Sequence, residues 1–435
     1  MKDLCFNVFI SIPMKEIYLV KDTPANKISY LLLLVFLLTL PFNRFYSELV
    51  LISLLAHTII QLPAQKRIPF QPYLFLPALV YVLTVAGSLY SNDKEQALMD
   101  CEKQLALVLF PLIFYTSPLD FEKYKLRLLK AFGIICSLLI LYLFYEALQV
   151  IRYNKLPISA MLSHSLTNHN FSAPLGLHAT YFSMFISLSL LVFMYLFLSS
   201  NKTGVRILYA SGCIILFAGL LQLASRSVFL ATLLIINLAV PLFLLQKEIR
   251  KKYIFLSLLL TALIIGSFTT TSSFKSRYLI MLKQDLTMAG VPHNISEPRL
   301  KRWYYMGGLI RQHPLIGFGS GTEVNLLKKN YYEHRLYNSF LHELNADNQY
   351  ISLLLKNGIV GLFTYITVLF LGFRYSIRTN DFFFFSFLVI ISIVSLSENI
   401  LDVNKGIFFF SFFFSFFVKG AKKNYPKRNV APVES

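Results

Sequence analysis

The chain is short of charge, and what it has is lopsided. Only 14% of its 435 residues are Asp, Glu, Lys or Arg, with 22 acids against 41 bases. Soluble domains carry about 25% charged residues, and none of this size holds so many long apolar runs, so a water-soluble fold is excluded. Cysteine is scarce and scattered, at Cys5, Cys101, Cys136 and Cys213 with no CxxC pair, which excludes a disulfide framework and a thiolate metal centre. One Trp stands against 41 Phe. The N-terminal stretch lacks both an unbroken apolar core and a small-residue cleavage site. Lys15, Glu16, Lys21 and Asp22 interrupt it, so no signal peptide is expected. No repeat relates residues 1–200 to 200–420.

Apolar sequence is what the chain has in abundance. About 20 apolar residues cross a bilayer as a helix. Segments of roughly that kind run over 28–42, 46–64, 71–90, 104–117, 128–150, 177–199, 206–223, 227–245, 252–269, 349–372, 381–399 and 405–419. The predicted fold class is therefore all-α: a polytopic integral membrane protein of about 12 transmembrane helices. Its parts are an N-terminal segment 1–27, helices 1–9 over 28–269, one large loop over 270–348, helices 10–12 over 349–419, and a basic tail over 420–435. Pro41, Asn43 and Arg44 interrupt the first two runs, which as one broken helix would put four N-terminal Lys outside. With the two kept apart and the N-terminus inside, cytoplasmic segments hold 23 Lys and Arg and short outer connections hold 7. That bias follows the positive-inside rule and places the large loop outside. It also accounts for the formal charge of +19, so nucleic acid is not an expected partner.

Several outward-facing polar groups then need a reason. In "LQLASRSVFLATLL", Arg226 opens helix eight between Ser225 and Ser227. It reads either as an interfacial anchor or as an anion clamp, since a guanidinium binds phosphate through a planar fork. In "EPRLKRWYYMGGLIRQHPLIGFGSG", Pro298 starts a predicted helix with Arg299, Arg302 and Trp303 in its early turns, ending near Gln312. Arg299 and Trp303 share a face; His313 follows, and the "GFGSG" turn lets the chain fold back. In "NADNQYISLLLKNGIVGL", Asp347 stands where the loop meets helix ten, as base or as helix cap, and His342 lies five residues earlier. Lys103 opens helix four and His178 opens helix six. Candidate anion binders and proton acceptors from separate segments thus converge on one side, which suits chemistry on an anionic lipid-linked substrate.

These segments resemble the successive signatures of the O-antigen ligase and O-antigen polymerase superfamily. "RLKRWYYMGGLIRQHPLIGFGSG" carries the most specific spacing, "NQYISLLLKNGIVGL" supports it, and "GSLYSNDKEQAL" and "HATYF" look like earlier helices; the likeness spans roughly residues 80–375. The resemblance implies a glycosyltransferase in the bacterial inner membrane, its active site and large loop facing the periplasm. It would move a glycan from an undecaprenyl diphosphate carrier to a hydroxyl on lipid A core, a growing glycan or a protein. No cofactor and no metal are implied. Arg226 and Arg299 would bind the diphosphate and stabilise its charge as it leaves. Arg302, Trp303, Lys103, His178 and His313 would complete substrate binding. The family commonly has His-Asn where this chain has Asp347-Asn348, so the base is Asp347 or His342, or is missing. Ligase and polymerase share the signatures. A lipid-linked oligosaccharide flippase or polysaccharide transporter would also have about twelve helices. Repeated halves and midplane charges, its usual marks, are not in this sequence.

Overall fold

The computed structural model describes residues 20–62, 70–267, 275–288 and 297–421, and these contain no β-strand. Every apolar segment read from the sequence holds a helix. We label them α1 Pro24–Thr39, α2 Arg44–Gln61, α3 Leu76–Tyr90, α4 Lys94–Gln104, α5 Ala106–Thr116, α6 Phe121–Tyr153, α7 Ala179–Ser199, α8 Thr203–Leu223 and α9 Arg226–Leu244. Then come α10 Lys247–Ser267, α11 Arg299–Ile310, α12 Glu323–Glu333, α13 Gln349–Arg378, α14 Phe382–Val394 and α15 Asn404–Lys419. The first two runs are separate helices: Asn43 caps α2 by accepting from the Phe45 amide at 3.0 Å. Six described spans are long and apolar enough to cross a membrane by themselves: α3 with its leading turn, α6, α7, α8, α9 and α13. The others fall short for local reasons. Leu105 cuts the fourth run off from polar α4 before it and leaves the eleven-residue α5, and α14 gives way at Ser395 to a turn that runs to Val403.

The phenylalanines explain themselves in α15. Its sequence, NKGIFFFSFFFSFFVK, is apolar on every side, and a helix of that kind is stable only when surrounded. Phe408 to Phe417 are all buried. Phe412 stacks on Phe36 of α1 with ring centroids 4.8 Å apart and meets Phe114 of α5 edge-on at 5.4 Å. Phe413 meets Phe132 of α6 at 5.5 Å, and Phe414 meets Phe384 of α14 at 5.1 Å. Tilted and edge-on pairs of this kind add about 0.5–1.5 kcal/mol each beyond area burial.

The segment before α13 is folded and has its own small core. Met306 of α11, Leu327 and Tyr331 of α12, Leu336 and Ala346 pack with Leu355 of α13. Glu297 ties in the short helix Tyr337–Leu341 by accepting from the amides of Asn338 and Ser339. Burial alone would raise the Glu297 carboxyl; the bonds from Ser339 outweigh it and hold that carboxyl below its ordinary value.

The "GFGSG" turn does more than reverse the chain: it is seated inside a broken helix. α13 loses helical geometry at Gly358 (φ 60°, ψ −157°), about 13 Å along the helix from Gln349. The backbone groups freed by the break are taken by the turn. Phe318 and Gly319 amides donate to the carbonyls of Leu355 (2.9 Å) and Lys356 (2.8 Å), and the carbonyls of Pro314 and Leu315 accept from Ile359 (2.9 Å) and Val360 (3.3 Å). Irregular backbone is tolerated at such a depth only where protein satisfies it. A Cβ on Gly358 would lie 2.3 Å from the Leu315 carbonyl, so the close approach requires glycine there. Ser320 donates to Thr84 O at 2.8 Å and Asn357 to Leu83 O at 3.1 Å, which pins the turn and the break against α3.

Candidate active site

Two of the predicted clamp residues open into one cleft. Arg226 starts α9 and Arg299 starts α11, and both line a cavity of about 450 Å³ with Trp303, Asp285 and Ser397. The remaining wall is apolar, with Leu230 and Leu233 of α9, Ile265 of α10, Leu279, Leu282 and Ile393. Arg226 Nη2 pairs with Asp285 Oδ2 at 2.6 Å. Its other terminal nitrogen, Nη1, is buried with no hydrogen-bond partner among the described residues. A buried guanidinium nitrogen without an acceptor costs about 1–3 kcal/mol or more, so this cleft has an acceptor position to fill. Polar mouth and greasy wall together suit a molecule with an anionic head and an apolar tail.

A ledge of ion pairs lies beside the cleft. Arg302 is 2% exposed. It donates from Nη2 to Asp347 Oδ2 at 2.8 Å and from Nη1 to Asn345 O at 2.9 Å. Burial disfavours its charge, but Asp347 and then Tyr331 beside it more than offset this. Arg299 Nε lies 3.7 Å from the same Asp347 oxygen, while its Nη1 donates to Ser397 O at 3.2 Å. Trp303 Nε1 donates to Ala346 O at 2.8 Å. Asp347 itself has φ +47°, a left-handed conformation that Asp tolerates better than most residues. It does not cap α13. Asn348 does so, its Oδ1 accepting from the amides of Tyr350 (3.0 Å) and Ile351 (3.2 Å). The cap reading of Asp347 is corrected accordingly: its carboxylate is turned toward the two arginines.

Beneath the ledge lies a second, closed cluster. Lys356 of α13 is buried and pairs with Asp402 at 2.7 Å and Glu323 at 3.4 Å. Ser352, one turn earlier, donates to Glu323. Asn399 donates to both acids, at 3.0 Å to Glu323 and 2.9 Å to Asp402, and its Oδ1 accepts from the Asn348 amide at 2.9 Å. Glu323 also accepts from the Ala346 amide at 3.0 Å. Three separate stretches, the start of α12, the N-terminal half of α13 and the turn 395–403, are thereby locked together next to Asp347. The same turn reaches α7, where Thr180 donates to Glu398 at 2.9 Å.

The other predicted site residues are dispersed. His178 stands at the N-terminus of α7, its ring 4.3 Å from His169 and 5.4 Å from Tyr181. Lys103 does not open a membrane helix but lies in the last turn of α4, 3.7 Å from Asp100. It lines a different cleft, of about 500 Å³, with Arg44, Glu48 and Asn404. His313 is exposed and packs on Phe318 at 4.5 Å in the turn that fills the helix break. His342 is exposed at the end of the short helix Tyr337–Leu341.

Sequence reasoning missed Glu323, Ser352, Glu398, Asn399 and Asp402. One signal pointed to them. Lys356 sits inside an apolar run, where a charge demands a partner, and "SENILDVNK", the last connection between apolar runs, carries two acids. No group of three or more His, Cys, Asp or Glu among the described residues is arranged to hold a metal ion.

With that geometry in place, the chain can be set against known proteins. Residues 211–366 match the family model described as O-antigen ligase. That range runs from α8 through the cleft, the ledge and the broken helix. The resemblance to the O-antigen ligase and polymerase superfamily therefore holds over the segment that contains Arg226, Arg299, Asp347 and Lys356. No curated protein matches the chain.

Proposed function

We propose that this protein is a membrane glycosyltransferase that moves a glycan from an undecaprenyl diphosphate carrier to an acceptor hydroxyl at the periplasmic face of the bacterial inner membrane. The observation that carries this reading is the joint placement of Arg226 and Arg299 at the mouth of one apolar-walled cleft inside the O-antigen ligase match. A guanidinium pair at a polar mouth suits a diphosphate, and the apolar wall suits the polyprenyl tail. As the glycosyl bond breaks, negative charge grows on the leaving diphosphate, and fixed cations aimed at it stabilise that charge without reorganisation. Charge compensation by two arginines makes a metal unnecessary; transfer that persists in the presence of chelator is expected. The acceptor proton passes to Asp347, held at the cleft by Arg302 and Arg299, or to His342. The topology that goes with this reading has both termini in the cytoplasm, about twelve crossings and the α11–α12 segment outside.

A transporter would use a broken helix differently. In transporters the exposed half-helix ends hold the substrate or ion. Here the groups freed at Gly358 are bonded to the turn 314–319, which leaves them no ligand to serve.

Trp303 makes the reading testable, because it is the single Trp of the chain and lines the cleft. Farnesyl diphosphate added to the purified protein is expected to change its emission, and farnesol is not. Arg226→Lys should weaken that response. Equal responses to the alcohol and the diphosphate would remove the basis for an anion clamp. In cells, deletion of the gene separates the two enzyme types. Long glycan retained on the carrier marks a ligase, and a surface glycan of one repeat marks a polymerase.

A further inference from the structure

The face of α11 away from the arginine cleft borders another cavity that the transfer reaction as described does not use. It encloses about 470 Å³ and is lined by Tyr304, Tyr305, Arg311 and Gln312 from α11 and its C-terminal end, and by Asn330 and His334 from α12 and its end. Three observations give it the character of a binding site. Tyr305 and His334 stack with ring centroids 4.1 Å apart, and His334 Nδ1 is held 2.9 Å from Asn330 O, so this wall is fixed. Tyr304 is 66% exposed and meets Tyr305 edge-on at 5.4 Å, which leaves a ring surface open at the cleft. Asn330 is 4% exposed, and its Oδ1 has no hydrogen-bond partner among the described residues. A buried amide oxygen lacking a donor is costly to leave unmade, and here it belongs to a side chain that lines the cavity.

We infer that this cleft binds a stretch of oligosaccharide. Exposed tyrosine faces match the C–H faces of pyranose rings. Arg311 can donate to sugar hydroxyls, Gln312 and His334 can donate to or accept from them, and a hydroxyl can donate to the Asn330 oxygen. One base, Arg311, and one acid, Glu333, line the cleft, a balance that favours a polyhydroxylated ligand over a strongly charged one. Arg311 lies twelve residues beyond Arg299 on the same helix, about 18 Å along its axis. The near edge of the cleft, at Tyr304, is five residues beyond Arg299 but on the opposite face of the helix, so the cleft takes a part of the glycan displaced from the reacting bond. The assignment of this ligand as the enzyme's own glycan rests on the proposed function; the saccharide site itself rests on the cleft.

The test is a titration of the full-length protein, purified in detergent, with sized oligosaccharides prepared by partial acid hydrolysis of the producing cell's surface polysaccharide. Binding to the wild type is expected. Tyr304→Ala and Arg311→Gln, both exposed and so tolerant of change, should each weaken it about tenfold, and Asn330→Ala by a similar factor. Arg299→Lys should leave it unaltered. If the wild type binds none of the fractions, or if the cleft variants bind like the wild type, the inference is overturned. A parallel transfer assay keeps it distinct from the functional reading. Transfer with wild-type KM for long glycans in the cleft variants sinks the cleft and spares the enzyme. Saccharide binding that is lost in the cleft variants, in a wild type that transfers nothing, sinks the enzyme and spares the cleft.

Discussion

The two charged centres, one around Lys356 and one around Arg226 and Arg299, are built on opposite principles. Around Lys356 every charge meets its opposite: one ammonium, two carboxylates, a serine and an asparagine close the set. Around Arg226 and Arg299 the set is open. Arg226 has one counter-ion and one buried nitrogen without an acceptor, and Arg299 meets Asp347 only at 3.7 Å. A closed cluster has nothing left for a ligand and can only hold structure together. An open one pays a desolvation cost that a bound anion recovers. The difference separates the residues that build the site from those that act in it, although both kinds are charged and Lys356, Glu323, Arg226 and Arg299 all lie within the same matched segment.

Substitution in the closed cluster should have the largest effect, and it should be on folding. Lys356→Met leaves Glu323 and Asp402 facing each other without their cation, and Glu323→Ala strips the Ala346 amide of its acceptor and leaves Asn399 and Ser352 with Asp402 alone. Breaking a buried ion pair from one side costs about 3–5 kcal/mol. Loss of the folded protein from the membrane fraction, or a much lower midpoint of thermal unfolding in detergent, is the expected outcome. Wild-type stability for either variant would mean that the two centres do not differ in the way described.

In the open cluster the effect should fall on transfer and spare folding. Arg226→Lys and Arg299→Lys keep the charge but lose the planar fork. Removal of one preorganised donor to a developing anion costs about a thousandfold at the upper end of the usual range. The expected result is that loss in transfer rate with an unfolding midpoint close to wild type. An Arg226→Lys protein that transfers glycan normally would reduce that residue to an interfacial anchor.

Asp347 stands between the two classes, since it is paired like the first and placed like the second. Asp347→Asn keeps the shape and removes the basic oxygen; transfer should fall about a hundredfold, the lower end of what a general base contributes. Asp347→His, which restores the residue usual in the resembling family, should retain activity. His342→Ala should change little. An active Asn variant together with a dead His342→Ala would move the base to His342, and full activity in both would leave neither residue as the essential base.

The sequence made the open centre legible and hid the closed one, for a physical reason. Arg226 and Arg299 each open a helix and Asp347 stands two residues before one, and helix ends can be read from local pattern. The helix over Arg299–Ile310, with Pro298 as its N-cap, was predicted to within two residues at its end. Lys356 was visible only as an oddity in an apolar run, because its partners are 33 residues before it and 46 after it. No periodicity encodes such a pairing. Lys103 misled for the converse reason. Its place in the chain suggested a helix start, but the break at Leu105 put it in a separate polar helix facing another cleft. Likewise Asp347 and Asn348 are both good caps by type, and only the left-handed turn at Asp347 decides between them.

The smallest effect should come at the break in α13. Gly358 holds a backbone conformation that costs a side-chain-bearing residue about 1–3 kcal/mol, and a Cβ there would press on the Leu315 carbonyl at 2.3 Å. Gly358→Ala should therefore push the turn 314–319 away and lengthen its bonds to Leu355, Lys356, Ile359 and Val360. That turn leads directly into Glu323, and Lys356 lies two residues before the break. The closed cluster should thus loosen without losing any of its charges, and the open one should be disturbed only through Asp347. Thermal unfolding in detergent should shift downward by less than in Lys356→Met, and transfer should fall by less than in the Arg variants. A Gly358→Ala protein as unstable as Lys356→Met would mean that the seated turn, and not the ion cluster, is what holds the N-terminal half of α13 in place.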